Sequence, residues 1–143
     1  MFRLSRPSLC SLLSALVLGL AACGEGSTTT PGDEEEHDHG TAVATGATCP
    51  PGSTLTAESF GTGFIGNYCL TCHSVERQGA ARGGAPVDHN YDTLADVRRW
   101  ATDIDKHAAA GPSATNTLMP PALPRPSQLQ RQQLGEWLAC GAP

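Results

Sequence analysis

Large apolar side chains are scarce in this sequence. Only 5% of its 143 residues are aromatic, and beyond Met1 there is a single methionine, Met119. From Cys49 onward no run of alternating or continuous β-branched residues occurs, which removes the signal for buried strands and for a βαβ unit. There is no internal repeat. A second C-x-x-C pair is also missing, and His89 and His107 do not stand at finger spacing, so the four-ligand set of a structural zinc is absent. A small domain this poor in bulky side chains gains from packing around something bulky.

What is present starts with a short basic region, Arg3 and Arg6, followed by the apolar run SLCSLLSALVLGL (8–20). That run is too short to span a bilayer comfortably but suits the apolar part of a signal peptide. It ends in LAAC, which resembles the lipobox of bacterial lipoproteins. The resemblance implies a signal peptide over 1–22 and a lipid on Cys23. The mature chain would then be anchored by its lipid in the bacterial periplasm or cell envelope, where disulfides persist. Gly24 rather than Asp after the cysteine favours the outer membrane by the sorting rule of enteric bacteria.

Residues 24–48 are rich in Gly, Thr and acid and carry no apolar periodicity, so 23–48 reads as a lipidated N-terminus and flexible acidic tether. A Gly-rich chain of about 25 residues has a mean span of about 25 to 30 Å. The tether holds most of the charge imbalance. The whole chain has a formal net charge of -5, whereas Cys49 onward holds seven Lys or Arg against eight Asp or Glu. The folded part therefore presents no field of one sign to steer a partner, and no nucleic-acid partner is expected. His37 and His39 in EEEHDH stand beside carboxylates, but a solvated linker lacks the surrounding contacts that make a metal site tight. The remainder, 49–143, is one small domain.

Six cysteines are present. Cys10 leaves with the signal peptide and Cys23 takes the lipid. Cys49 and Cys140, at the two ends of the domain, are then the spare pair, and in an oxidising compartment they form a disulfide. Cys69 and Cys72 belong to NYCLTCHS (67–74), in which His73 follows directly. C-x-x-C-H is the attachment sequence for c-type haem. Two thiols three positions apart on one helical turn can add to the two vinyl groups at a haem edge, and the adjacent histidine supplies the proximal imidazole. A thioredoxin-like dithiol shares the cysteine spacing but needs the βαβ pattern that is missing.

Met119 stands in the Pro-rich stretch NTLMPPALPRP, where a core-filling methionine is unusual. Prolines stiffen the backbone there, as is needed to hold a thioether over the open face of an iron. With C-x-x-C-H some 46 positions earlier, MPP resembles the class I (mono-haem) cytochrome c family. The resemblance covers about 49–143 and is strongest at Cys69, Cys72 and His73. It implies an all-α, cytochrome c-like domain of about three helices and long loops around one covalent haem c. Cys69 and Cys72 would hold the haem by thioethers, with His73 proximal and Met119 distal on the iron. The function implied is electron transfer rather than enzymatic catalysis, with redox proteins in the periplasm or at the membrane as partners.

Three segments suit the helices. TAESFGTGFIGNYCLTCH presents Phe60, Phe64 and Tyr68 before the cysteines, and Gly61 or Gly63 permits close approach of another helix. DTLADVRRWATDIDKHAA (92–109) places Leu94, Val97, Ala101, Ile104 and Ala108 at helical spacing, with Asp92 as N-cap. SQLQRQQLGEWLACG (127–141) carries a capping box, Ser127 with Gln130, an apolar stripe of Leu134, Trp137 and Leu138, and Gly141 past its end. His107, on a charged helical segment, reads as a surface residue, and His89, in a polar turn, as structural. Either would be the rival of Met119 for the iron. Arg98, Arg99, Trp100 and Tyr91 are candidates for haem propionates. Two other functions stay open: a haem enzyme or gas sensor with an open or bis-histidine iron, and a dithiol oxidoreductase using Cys69 and Cys72.

Overall fold

The computed structural model describes residues 42–143. The expected signal segment, Cys10, the expected lipidation position Cys23, His37, His39 and the expected tether up to residue 41 lie outside the described residues. Among those described the chain is all-α, with four helices and no strand. A π-helical turn, Ala57–Gly61, runs into α1, Thr62–Tyr68; α2 is Leu94–Arg99, α3 Ala101–Ala108 and α4 Gln128–Ala139. No described helix is long and apolar enough to cross a membrane.

The first helical segment starts where Thr56 and Ser59 cap each other's backbone N–H groups reciprocally. Phe60, Phe64 and Tyr68 then fall on one face at four-residue spacing, with ring centroids 5.4 and 4.9 Å apart. At the other end of the chain, α4 opens on the Ser127–Gln130 capping box and closes at Gly141 in the left-handed conformation (φ 83°). Its stripe is the floor of the core: Leu134 and Trp137 are fully buried and Leu138 nearly so. The two segments meet at Gly61, where an added Cβ would run into the Trp137 indole, whereas a Cβ at Gly63 would meet nothing. Of the two glycines, Gly61 is thus the one that admits the neighbouring helix.

The segment 92–109 is not one helix. It breaks at Trp100 (φ -99°, ψ 12°), whose indole stacks on the His89 ring at 3.8 Å between centroids. The expected N-cap also shifts by one residue. Thr93 accepts from the Asp96 N–H, while Asp92 turns the other way and accepts from Ser74 Oγ (2.6 Å) and the Val75 N–H (2.9 Å). The apolar spacing still has its effect, since Val97, Ile104 and Ala108 are buried.

The folded part begins earlier than composition suggests. Thr45 is fully buried, and its N–H donates to Asp105 Oδ2 (2.9 Å) while its carbonyl accepts from Ser113 (2.8 Å). The carbonyl of Val43 accepts from Asn116 Nδ2 (2.7 Å). Residues 42–48 therefore belong to the domain rather than to the tether. Their composition gave no sign of this because their partners, Asp105, Ser113 and Asn116, lie about 60 to 70 positions away.

Near Cys140 the chain is clasped to the entry of the domain. Cys49 and Cys140 are bonded, with Cα atoms 4.7 Å apart and 91 positions between them. Ser53 Oγ donates to Glu136 Oε1 (2.6 Å), and Arg98 donates to the carbonyls of Gly141 and Ala142. A loop this long constrains the unfolded chain strongly, so replacing both cysteines by serine should lower stability by about 2 to 5 kcal/mol. Urea unfolding of the two forms measures this, and an unchanged midpoint would contradict it.

Candidate haem-binding cavity

The C-x-x-C-H motif begins where α1 ends. The Cys69 backbone N–H donates to the Ile65 carbonyl (2.9 Å), and the chain then winds through one more turn in which the backbone N–H groups of Cys72 and His73 both donate to the Cys69 carbonyl (3.1 and 2.9 Å). That turn puts Cys69, Cys72 and His73 on the wall of one cavity of about 480 Å³. Neither cysteine is in a disulfide. Burial pushes the Cys69 thiol up to about 12, so it stays a neutral thiol at physiological pH.

The His73 imidazole is held on two sides. Its Nδ1–H donates to the His89 carbonyl (2.8 Å), and the Tyr91 ring stacks against it at 4.5 Å, 13° from parallel. A carbonyl only accepts, so the proton sits on Nδ1 and the Nε2 lone pair is free. This is the arrangement by which a metal-binding imidazole is usually oriented. Burial holds its proton affinity below the ordinary histidine range; the bond to the His89 carbonyl works the other way and the Arg82 cation adds to the lowering. The neutral, ligating form is favoured.

Arg82 organises the loop after the motif. It is 4% exposed, and its guanidinium donates to the carbonyls of Ser74 (2.9 Å), Ala85 (3.0 Å), Pro86 and His89 (3.3 Å) and to Asn90 Oδ1 (2.9 Å). Residues 74–90 wrap this one cation, which fixes the carbonyl that orients His73. Gly83, left-handed at φ 58°, lies against Cys72, where a Cβ would sit 3.3 Å from Sγ.

Asp92 ties down the same loop. The Ser74 hydroxyl, and after it the Val75 N–H, hold its carboxyl below the usual range. A carboxylate whose folded pKa is depressed adds stability above its unfolded value, about 3.9, and that stability is lost as pH falls through the lower folded value. Asp92→Asn should therefore lower the urea midpoint at pH 7 and make progressively less difference below about pH 4. A difference that is the same at pH 3 and pH 7 would count against this role.

Met119 reaches the cavity from the opposite part of the chain, between α3 and α4. It packs against the core and lines the cavity with Pro120 and Pro121. Its N–H donates to the His107 carbonyl (2.9 Å) and its carbonyl accepts from Arg131 Nη1 (2.9 Å). Phe64, Ile104 and Ala108 add apolar wall to the same cavity.

The two competing histidines both line the cavity but differ in what their ring nitrogens meet. His89 has both ring nitrogens beside carboxylates, Asp88 Oδ1 at 2.9 Å and Asp103 Oδ2 at 3.3 Å, and its ring lies on Trp100. His107, expected on the surface, is half-buried on the cavity wall. It falls between Ile104 and Ala108, which carry this face of α3 inward. Its Nδ1–H donates to the Asp103 carbonyl (2.7 Å), which leaves its Nε2 free as well. Of the four propionate candidates, Tyr91 alone lines the cavity. Arg98 is spent on the carbonyls near the C-terminus, and Arg99 lies over the Trp100 ring at 5.2 Å.

The donor set suits a haem. Among the described residues no three His, Cys, Asp or Glu side chains come together to hold an ion. The cavity wall offers imidazole and thioether, which are axial ligands for an iron whose other four donors come from a macrocycle, and two thiols for attachment. Sequence reasoning missed Arg82 and Arg131. For Arg131 a signal existed: positions 131, 134 and 138 stand at i, i+3 and i+7, so the arginine shares the register of the buried stripe. Comparison with family models, with curated proteins and with solved structures finds no match.

Proposed function

We propose that this chain is an electron-carrying c-type cytochrome with one haem, joined to Cys69 and Cys72 and ligated by His73 and Met119. The observation that carries the reading is the single cavity that collects two unpaired cysteines, an imidazole whose Nδ1 is already committed, and a methionine whose backbone is tied on both sides. A bound haem supplies an iron that cycles between Fe(III) and Fe(II). With His73 and Met119 both given to it, a bound iron would keep no open place for a substrate, which favours a carrier over an enzyme. The lipid on Cys23 keeps this carrier at the bacterial cell envelope, on the outer membrane by the residue that follows, where redox proteins are its partners.

The test is a pair of visible spectra of the full chain, matured in a bacterial host that expresses cytochrome c maturation factors. The reading expects a low-spin reduced spectrum, a weak far-red Met-to-Fe(III) band when oxidised, and no CO binding to the reduced form at neutral pH. CO binding would turn the reading towards a gas sensor or haem enzyme.

A second reading has one specific observation in its favour. His107 shares the cavity and keeps its Nε2 free, so a His73/His107 pair is the alternative ligation. It predicts a low-spin spectrum without the far-red band. Against a dithiol oxidoreductase stand the Cys69 thiol, pushed up to about 12 where such chemistry needs a lowered value, and a described chain without strands.

A further inference from the structure

We propose that Arg131 is a positioning residue for Met119, tying the ligand loop to α4 so that the thioether stays on the iron; this rests on the haem reading above. Arg131 is 3% exposed, and no carboxylate lies within ion-pair distance of it among the described residues. A buried, unpaired cation is costly, and a leucine at this position of the stripe would bury apolar surface without that cost. What the guanidinium does instead is gather carbonyl oxygens. Nη1 donates to Ala108 at the end of α3 (2.6 Å), to Asn116 (2.8 Å) and to Met119 itself (2.9 Å).

These three acceptors bracket the stretch of chain that carries the ligand. Asn116 is anchored in turn, since its N–H donates to the Ala109 carbonyl (2.8 Å) and its Nδ2 to the Asp105 carbonyl (2.9 Å). Met119 is held at both of its backbone polar groups, through N–H to α3 and through C=O to α4. A thioether is a neutral, soft and weak axial donor, so its occupancy depends on how little freedom the loop has left to lose. Arg131 removes that freedom from the C-terminal side, as the His107 carbonyl does from the other. All three bonds leave one nitrogen, so a lysine, which keeps the charge and carries three donors on its single ammonium, can replace them in part from its more flexible stem.

The experiment uses the full, haem-loaded chain and its Arg131→Leu and Arg131→Lys variants. The readouts are the far-red band of the oxidised form and the affinity of that form for imidazole, which enters only where Met119 has left. Apparent affinity scales with the ligand-free fraction, so a tenfold rise in Met119 dissociation appears as about tenfold tighter imidazole binding. The expected result is a weakened band and at least about tenfold tighter binding in Arg131→Leu, with Arg131→Lys in between. A merely structural arginine would lower the urea midpoint and leave band and imidazole affinity as in the wild type, which overturns the proposal. If neither variant matures, the wild type decides it. Coupling of Met119 to α4 requires the far-red band and the far-UV helical signal to disappear in one urea transition. A band lost at lower urea, with the helices intact, overturns it. A wild type with haem but no far-red band removes the underlying Met119 ligation instead.

Discussion

Met119→Ala should remove the far-red band from the oxidised, haem-loaded protein and shift the couple towards Fe(III). Met119 stands in the loop between α3 and α4. Its backbone is fixed by the His107 carbonyl and by Arg131, so shortening the side chain leaves a gap on the cavity wall rather than a loop that closes in. The lost group is a thioether, which favours Fe(II), and the shift should be at least about tenfold in the oxidised-to-reduced ratio, or 59 mV for one electron. His107 decides what fills the position. If its free Nε2 moves in, the single variant stays low-spin, and only Met119→Ala with His107→Ala becomes high-spin and binds CO. Should the far-red band persist in Met119→Ala, the assignment of this residue is wrong.

The largest effect on stability is expected at the crossing of the first helical segment and α4. Trp137 has no exposed surface, meets the Phe60 ring edge-on at 6.1 Å and 72°, and donates from Nε1 to the Pro143 carbonyl (3.3 Å). Truncation to alanine leaves a cavity of indole size and should cost about 3 to 5 kcal/mol. Gly61 tests the same contact from the other side. Its Cβ has no space beside the indole, so Gly61→Ala should destabilise by about 1 to 3 kcal/mol, as overpacking does. Gly63→Ala, in open space, should be neutral or gain up to about 1 kcal/mol from helix propensity. Urea midpoints of the two variants compare them directly. Equal effects at the two glycines would mean that the helices do not pack as described.

The features that could be read from the sequence were those made by neighbours in the chain. Ser127 and Gln130 are three residues apart and form their capping box as the spacing requires, and the stripe of Leu134, Trp137 and Leu138 follows from one helical period. The same holds for Cys69, Cys72 and His73, which one turn of chain delivers to one wall. What could not be read depends on distant partners. The helix over 92–109 breaks because Trp100 stacks on a ring eleven positions earlier, and Asp92 leaves its cap for Ser74. Thr45 looks like linker until Asp105 is placed beside it. The carbonyl that orients His73 belongs to His89, sixteen residues on, and its position depends on a buried Arg82 that no local pattern marks. His107 departs from its expected exposure for a related reason. The charges around it suggested solvent, while its neighbours Ile104 and Ala108 fix its side of the helix.

The central claim is that Cys69 and Cys72 carry a haem, and mass spectrometry of the full chain, expressed with cytochrome c maturation factors and then digested, tests it most directly. The account predicts that the peptide containing NYCLTCHS gains the mass of one haem that denaturation and organic extraction do not remove. It also predicts that Cys69→Ala with Cys72→Ala abolishes that gain. An unmodified peptide with two free thiols, recovered from a host shown to mature another c-type cytochrome, would contradict the account and return this cavity to thiol or metal chemistry.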